Sequence, residues 1–156
     1  MPQNIEIHRI DNQSLDDIAD LWECLKKHHL ERTHSFAEHY LNNTFERRKA
    51  ELLRKDQLAV FVAGAGEVAG EGTSAKLLGF CVASVTMDVG EIDSLYTDPS
   101  VRNQQFGQRL MQQGLNWLDA QKVKHIRLMV AEGNEDVLGF YEKFGFRKRA
   151  TQLERK

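Results

Sequence analysis

A chain of 156 residues with 21 basic and 23 acidic side chains has a formal charge of −2, whereas a protein built to grip nucleic acid presents a basic face. Its 41% hydrophobic and 28% charged residues are those of an ordinary globular domain, long enough to bury a core without a disulfide or metal staple. No apolar run approaches the ~20 residues that cross a bilayer, the start Met1-Pro2-Gln3-Asn4-Ile5-Glu6 lacks a basic, apolar leader, and the distant Cys24 and Cys81 suit a reducing compartment, so a single cytoplasmic domain over 1–156 is expected, with no membrane or nucleic-acid partner.

Ile5, Ile7 and Ile10 around Glu6 and His8 predict a first strand. Ser14 can cap a helix that carries Asp16 and Asp17 in its first turn and Leu15, Ile18, Leu21, Trp22 and Leu25 at helical spacing. Ser35-Phe36-Ala37-Glu38 matches a capping box and predicts a second helix to about Lys55, with a break near Asn42-Asn43. Leu58–Ala63 reads as a buried strand, residues 64–76 with four glycines as a hairpin loop, and Leu77–Thr86 as the returning strand. Glu91–Thr97 is the next strand, and Asp98-Pro99-Ser100 a loop. Phe106–Ala120 is an amphipathic helix through Leu110, Met111, Leu115 and Leu118. Ile126–Val130 is a strand, Val137–Phe144 a short helix, and Phe146 onward a final strand. The order β-α-α-β-β-β-α-β-α-β places helices on a mixed sheet, an α/β or α+β fold.

Chemistry concentrates after the third long strand. Arg102-Asn103-Gln104-Gln105-Phe106-Gly107 comes after Leu95-Tyr96-Thr97-Asp98-Pro99 and opens a helix. The first turn of a helix leaves N–H groups without intrahelical acceptors, and with the dipole these make a phosphate or pyrophosphate site. Gly107 lets an anion approach without a Cβ in its way. A plain strand–loop–helix connection is the alternative. Further on, Asn134 is followed seven positions later by Tyr141 within Phe140-Tyr141-Glu142-Lys143-Phe144-Gly145-Phe146.

These two segments, in this order, resemble the GCN5-related N-acetyltransferases. Their pyrophosphate loop reads R/Q-x-x-G-x-G/A, and their later motif N-x6-Y-E-K-x-G-F. The likeness spans roughly residues 5–153 and is firm at 91–146. Gln105 departs from the family's first loop glycine, which implies weakened binding with the backbone at an ordinary φ. Val137 stands where a small alanine is frequent.

The resemblance implies acetyl-CoA as co-substrate, an N-acetyltransferase activity, no metal, and a homodimer as a common assembly. It places the backbone of Leu95, Tyr96 and Thr97 along the pantetheine arm, with the Leu95 N–H polarising the thioester carbonyl. It wraps Arg102, Asn103, Gln104, Gln105, Phe106, Gly107 and Gln108 around the pyrophosphate, with Asn134 on the cofactor arm or as a helix N-cap. Tyr141 is the implied general acid for the departing thiolate; a core tyrosine beside Phe140 and Phe144 is the alternative.

An alkylammonium has no lone pair, so its proton must leave before it attacks. The resemblance implies a proton-accepting Glu four residues before Leu95, which favours Glu91, with Asp93 on the same strand face as second choice. The acceptor pocket implied by the fold draws on Trp22, His28, His29 and Glu31. The four histidines at 28, 29, 34 and 39 are too irregularly spaced, with no Cys among them, to suggest a metal. Residues 1–90 carry 10 basic and 14 acidic side chains, which fits a cationic acceptor or is scatter in solvated faces. A small-molecule primary amine is the expected acceptor. The alternatives are a protein or peptide amine, or a non-catalytic acyl-CoA-binding module.

Overall fold

The structure is a computed structural model and describes residues 4–65 and 76–156. Five strands, β1 (Ile5–Ile10), β2 (Gln57–Ala65), β3 (Lys76–Thr86), β4 (Val89–Thr97) and β5 (His125–Leu128), form one sheet in the order 1-2-3-4-5. The first three junctions are antiparallel and β4–β5 is parallel. A parallel neighbour requires a crossover, and α4 (Phe106–Ala120) supplies it, with the bounds its periodicity predicts. The helices α1 (Ala19–Arg32), α2 (Ala37–Asn42) and α3 (Phe45–Leu53) precede the hairpins, and α5 (Leu138–Glu142) comes after β5. No described helix is long and apolar enough to cross a membrane. Most of the expected 64–76 loop lies outside the described residues.

The central strands are apolar on both faces because each face is covered. Leu58, Val60, Val62, Phe80 and Val82 pack with Leu15, Ile18, Leu21, Trp22, Phe45 and Leu52. Ala59, Phe61, Cys81, Ala83, Val85 and Ile92 pack with Leu110, Met111 and Leu118 of α4, against which Phe140 and Tyr141 of α5 also lie. The alternation of side chains along β2 and β3 thus feeds two cores, one on each side of the sheet.

Three local expectations change. Asp11, not Ser14, starts the first helical segment: its carboxylate accepts from Gln13 N–H, and the chain makes a 3₁₀ turn over Asn12–Ile18 before α1. The expected break in the 35–55 helix does occur, at Asn43-Thr44, where Thr44 caps α3 by accepting from Arg47 N–H. Ser35 caps nothing; the Thr33 hydroxyl accepts from Phe36 N–H instead. The final strand is absent. Residues 146–156 form no strand, and Phe146 lines an open cavity of about 450 Å³ with Leu115, Ile126 and Phe144. Alternation in Phe146–Lys156 is weak because Arg147, Lys148 and Arg149 stand in succession, so nothing there prefers a sheet face.

Two irregularities of the sheet shape the region around the end of β4. Ser94 pairs with Val82 and Ile92 with Ala83, so Asp93 is the extra residue of a β-bulge in β4. The β4–β5 ladder runs from Val89↔His125 to Ile92↔Leu128 and stops, while β4 continues to Thr97. Beyond Ile92 the two parallel strands no longer pair, and among the described residues no strand lies beside the outer edge of β4 over Asp93–Thr97.

Candidate active site

The turn after β4 is held tightly. Asp98 N–H donates to Leu78 O at 2.7 Å, and the Asp98 carboxylate accepts from Ser100 N–H and Oγ. Those two bonds hold the Asp98 carboxyl below the usual range. Pro99 sits at the start of a 3₁₀ turn, where its missing N–H costs nothing. The chain then passes Asn103 at φ +70° and Gln105 at φ +66°, both left-handed. Gln105 therefore does not keep an ordinary φ; it adopts the conformation a glycine would supply, at a cost of about 1–2 kcal/mol. The loop shape survives the missing glycine because the backbone bears the strain.

The consequence is a concave row of donors. Arg109 N–H is the first in α4 to reach a helical acceptor, Gln105 O at 3.0 Å. The N–H groups of Phe106, Gly107 and Gln108 precede it, and no side chain caps them. Two left-handed residues, Asn103 and Gln105, lead into this helix start, whose uncapped N–H groups suit an anion. A Cβ at Gly107 would meet only Thr97 Cγ2 at 3.8 Å and Phe140 Cζ at 3.9 Å, which is ordinary contact. Packing within the chain does not demand glycine here, so the open ground over Gly107 is available to a ligand.

Arg102 is folded back on the strand. Its Nε donates to Thr97 O at 3.2 Å, and its guanidinium lies over the Tyr96 ring at 5.7 Å. The Thr97 carbonyl is thus already engaged. Tyr96 itself is buried on the α1 side beside Phe80, with burial raising its hydroxyl pKa, so only its backbone faces the gap. Leu95 pairs with Cys81 and packs on the α4 side.

The two carboxylates of β4 share a face, as alternation predicts, and meet a ring of cations. Lys55 Nζ lies 3.4 Å from Glu91 and 3.9 Å from Asp93, Arg48 lies 4.0 Å from Asp93, and Arg127 lies 4.0 Å from Glu91. Arg48 also donates to the Asp93 carbonyl, fastening the bulge. The two acids differ in setting. Glu91 stands opposite Arg127, where the sheet is still closed. Asp93 stands where β4 and β5 part; its side chain is 2% exposed and its Oδ2 has no hydrogen-bond partner. Burial first, and then the charge of Glu91, push the Asp93 carboxyl up to about 6, against the pull of Ser84, Arg48 and Lys55.

Tyr141 lies on the opposite face, its ring 5.3 Å from Phe140 and 6.3 Å from Phe146. Burial, and secondarily Cys81, push its hydroxyl up to about 12, and burial likewise pushes the Cys81 thiol up to about 12. A phenol that holds its proton so firmly serves as a hydrogen-bond donor better than as a proton source.

The candidate acceptor residues scatter. Trp22 is a core residue, its ring 5.6 Å from Phe45. Glu31 is exposed and faces Lys27 at 4.0 Å. His29 stacks on Tyr40 with ring centroids 5.4 Å apart, and burial together with His28 lowers its pKa to about 4, so it is neutral at pH 7. His28 Nε2 stands 3.2 Å from Asn134 Oδ1. Asn134 occupies the N-cap position of the 3₁₀ turn Glu135–Val137, yet its side chain caps nothing. The histidines build no ligand set; no group of three or more His, Cys, Asp and Glu side chains suited to a metal occurs among the described residues.

Sequence reasoning missed Glu132 and Gly133. The Glu132 carboxylate accepts from the Thr33 hydroxyl at 2.8 Å, from His34 N–H at 3.0 Å and from Ser35 N–H at 3.1 Å. Arg32 pairs with Asp136 at 2.9 Å. Gly133, at φ +92°, comes so close to Arg32 O that a Cβ would collide with it. The segment after β5 is thereby clasped to the end of α1. No local signal announces partners some 100 residues apart. The backbone and hydroxyl donors hold the Glu132 pKa below the ordinary glutamate value. A depressed carboxyl stabilises the fold above its unfolded pKa, and that contribution is lost as the pH falls through the folded one. Glu132→Gln should therefore lower Tm at pH 7, and the gap to the unaltered protein should close on acidification through the carboxylate range, as read by thermal denaturation across pH.

The family model described as "Acetyltransferase (GNAT) family" matches residues 17–146. No curated protein matches the chain by sequence. Among solved structures, a Pyrococcus furiosus protein assigned to the acetyl transferases superposes at TM-score 0.67 and 21% identity, covering 97% of this chain and 99% of its own. An aminoglycoside acetyltransferase, meta-AAC0020, from an uncultured soil metagenomic sample does so at 0.65 and 16%, covering 97% and 95%. The aminoglycoside N-acetyltransferase AAC(6')-Iy, solved in complex with CoA, does so at 0.62 and 19%, covering 100% and 97%. At these identities the superpositions establish the shared fold.

Proposed function

Because the chain belongs to the acetyltransferase (GNAT) family, we propose that it moves an acetyl group from acetyl-CoA to the primary amine of a small molecule. The observation that carries this reading is the pairing of an unstranded β4 edge over Asp93–Thr97 with a hollow of free N–H groups at Phe106–Gln108, one strand-to-helix turn away. The hollow suits a pyrophosphate and the edge suits an extended amide-bearing arm. Thr97 and Phe140 both border Gly107, so the two sequence motifs converge on one spot. Acetyl-CoA, when bound, supplies an activated acetyl group. The chain's own residues do the rest.

Asp93 is the proton acceptor in this reading, ahead of Glu91. It sits where the strands part, has a free buried oxygen, and ionises close to neutrality, which is what a base needs to draw a proton from an ammonium near pH 7. Glu91 is committed to Lys55 and Arg127 and raises the basicity of its neighbour. Tyr141 donates a hydrogen bond to the leaving sulfur. Tyr141→Phe should lower kcat by about 10- to 100-fold, the worth of one hydrogen bond to a charged atom, with CoA affinity nearly unchanged. Steady-state rates beside calorimetry with CoA check this, and an unchanged kcat removes the tyrosine from the chemistry.

Two features favour a small acceptor over a peptide. The turn at residues 33–35 is tied down on Glu132, which leaves this side of the chain less free to admit a peptide. Two of the structural neighbours are acetyltransferases of aminoglycosides, which are polyamines of modest size. A panel of polyamines, aminoglycosides, amino acids and peptides, assayed with acetyl-CoA by thiol release, tests the reading. Turnover confined to peptides overturns the acceptor class; CoA binding with no turnover on any amine overturns the activity.

A further inference from the structure

The carboxamide of Asn134 is held at one end only. Its Oδ1 faces His28 Nε2 at 3.2 Å, across 106 residues of sequence. Its Nδ2 has no protein acceptor among the described residues, although the residue occupies an N-cap position where a side chain commonly turns back on the helix. A carboxamide accepts at one end and donates at the other, so fixing the acceptor end fixes the donor end. With the carbonyl turned to α1, the N–H groups point away from α1.

We propose that His28 is a positioning residue that sets the rotamer of Asn134, so that its Nδ2 presents N–H donors to a carbonyl of the pantetheine arm. The proposal rests on the proposed acetyl-CoA site, in which Asn134 meets that arm. His28 donates from Nε2, and its ring is braced edge-on against His29, 5.9 Å away, which itself stacks on Tyr40. Without the imidazole, nothing distinguishes the two flips of the carboxamide, and half of the population presents an oxygen to an oxygen.

The surrounding clasp makes the idea separable from a merely structural role. The 132–136 segment is anchored independently by Arg32–Asp136, by Thr33, His34 and Ser35 on Glu132, and by the close approach of Gly133 to Arg32 O. Removing His28 leaves those ties intact. The segment stays docked and only the orientation of Asn134 is released.

The test is a double-mutant cycle read by calorimetry with CoA and by the KM for acetyl-CoA. His28→Ala should weaken CoA by about 2-fold, because the binding-competent flip falls to half of the population, with the loss in KM exceeding that in kcat. His28→Gln, which keeps an N–H donor, should recover part of it. Asn134→Ala and Asn134→Asp should both weaken CoA, the aspartate because it accepts from His28 but cannot donate onward. In the Asn134→Ala background, His28→Ala should cost nothing more. Full CoA affinity in Asn134→Ala refutes the cofactor contact itself. Weak binding in Asn134→Ala with native affinity in both His28 variants refutes the positioning role alone. Additive losses in the double variant also refute it, since His28 then acts by another route.

Discussion

Asp93→Asn should lower kcat/KM by about 100- to 1000-fold, the usual worth of a positioned general base. In the unaltered protein the rate should fall tenfold per pH unit below about 6, because only ionised Asp93 takes a proton and its carboxyl is pushed up to about 6. The variant should lose that acid limb. The direction comes from the sign of the shift. A raised carboxyl pKa means that the folded state binds the proton more tightly than the unfolded chain, so ionised Asp93 opposes folding above pH 6. Replacing it with a neutral isostere does not remove a stabilising charge, and the loss of rate should come without a fall in Tm at pH 7 to 8. Glu91→Gln should leave the acid limb in place and move it to lower pH, since the Glu91 charge is one cause of the rise. A pH–rate profile that is unaltered in Asp93→Asn and lost in Glu91→Gln would return the role to Glu91.

The second large effect belongs to Gly107. Gly107→Glu should weaken CoA by at least about 100-fold, as a carboxylate near a pyrophosphate repels it by several kcal/mol at the effective dielectric of a protein surface. The fold should not suffer. Nothing lies closer than 3.8 Å to a Cβ at this position. Glutamate is a better helix former than glycine, and a carboxylate in the first turn of α4 meets the positive end of its dipole. The expected pattern is therefore a maintained or raised Tm with CoA binding lost, measured by thermal denaturation and calorimetry on one preparation. Equal affinity for CoA would detach the loop from the site.

A feature is legible in the sequence to the extent that its cause is local. The bounds of α4 were legible because Leu110, Met111, Leu115 and Leu118 carry a helical period without a proline. The break before α3 was legible in Asn42-Asn43-Thr44, where a cap residue stands ready. Gln105 was legible as a missing glycine, but not as a left-handed residue, since only the completed turn shows what φ it demands. The bulge at Asp93 was hidden because register depends on the partner strand, and it decides which of two nearby carboxylates reaches the parting of the strands. Trp22 was drawn toward the acceptor by its position and proved to be core, for a helical stripe does not say which sheet face it covers. The clasp of Glu132 on residues 33–35 involves groups with no common motif and was beyond sequence reading altogether.

The most direct check on where the coenzyme lies is a titration of ¹⁵N-labelled protein with CoA, monitored through its backbone amide resonances. Shifts concentrated at Asn103–Gln108 and along Asp93–Thr97 are the predicted result. Binding that leaves those amides unmoved, and perturbs another part of the chain, would contradict the account.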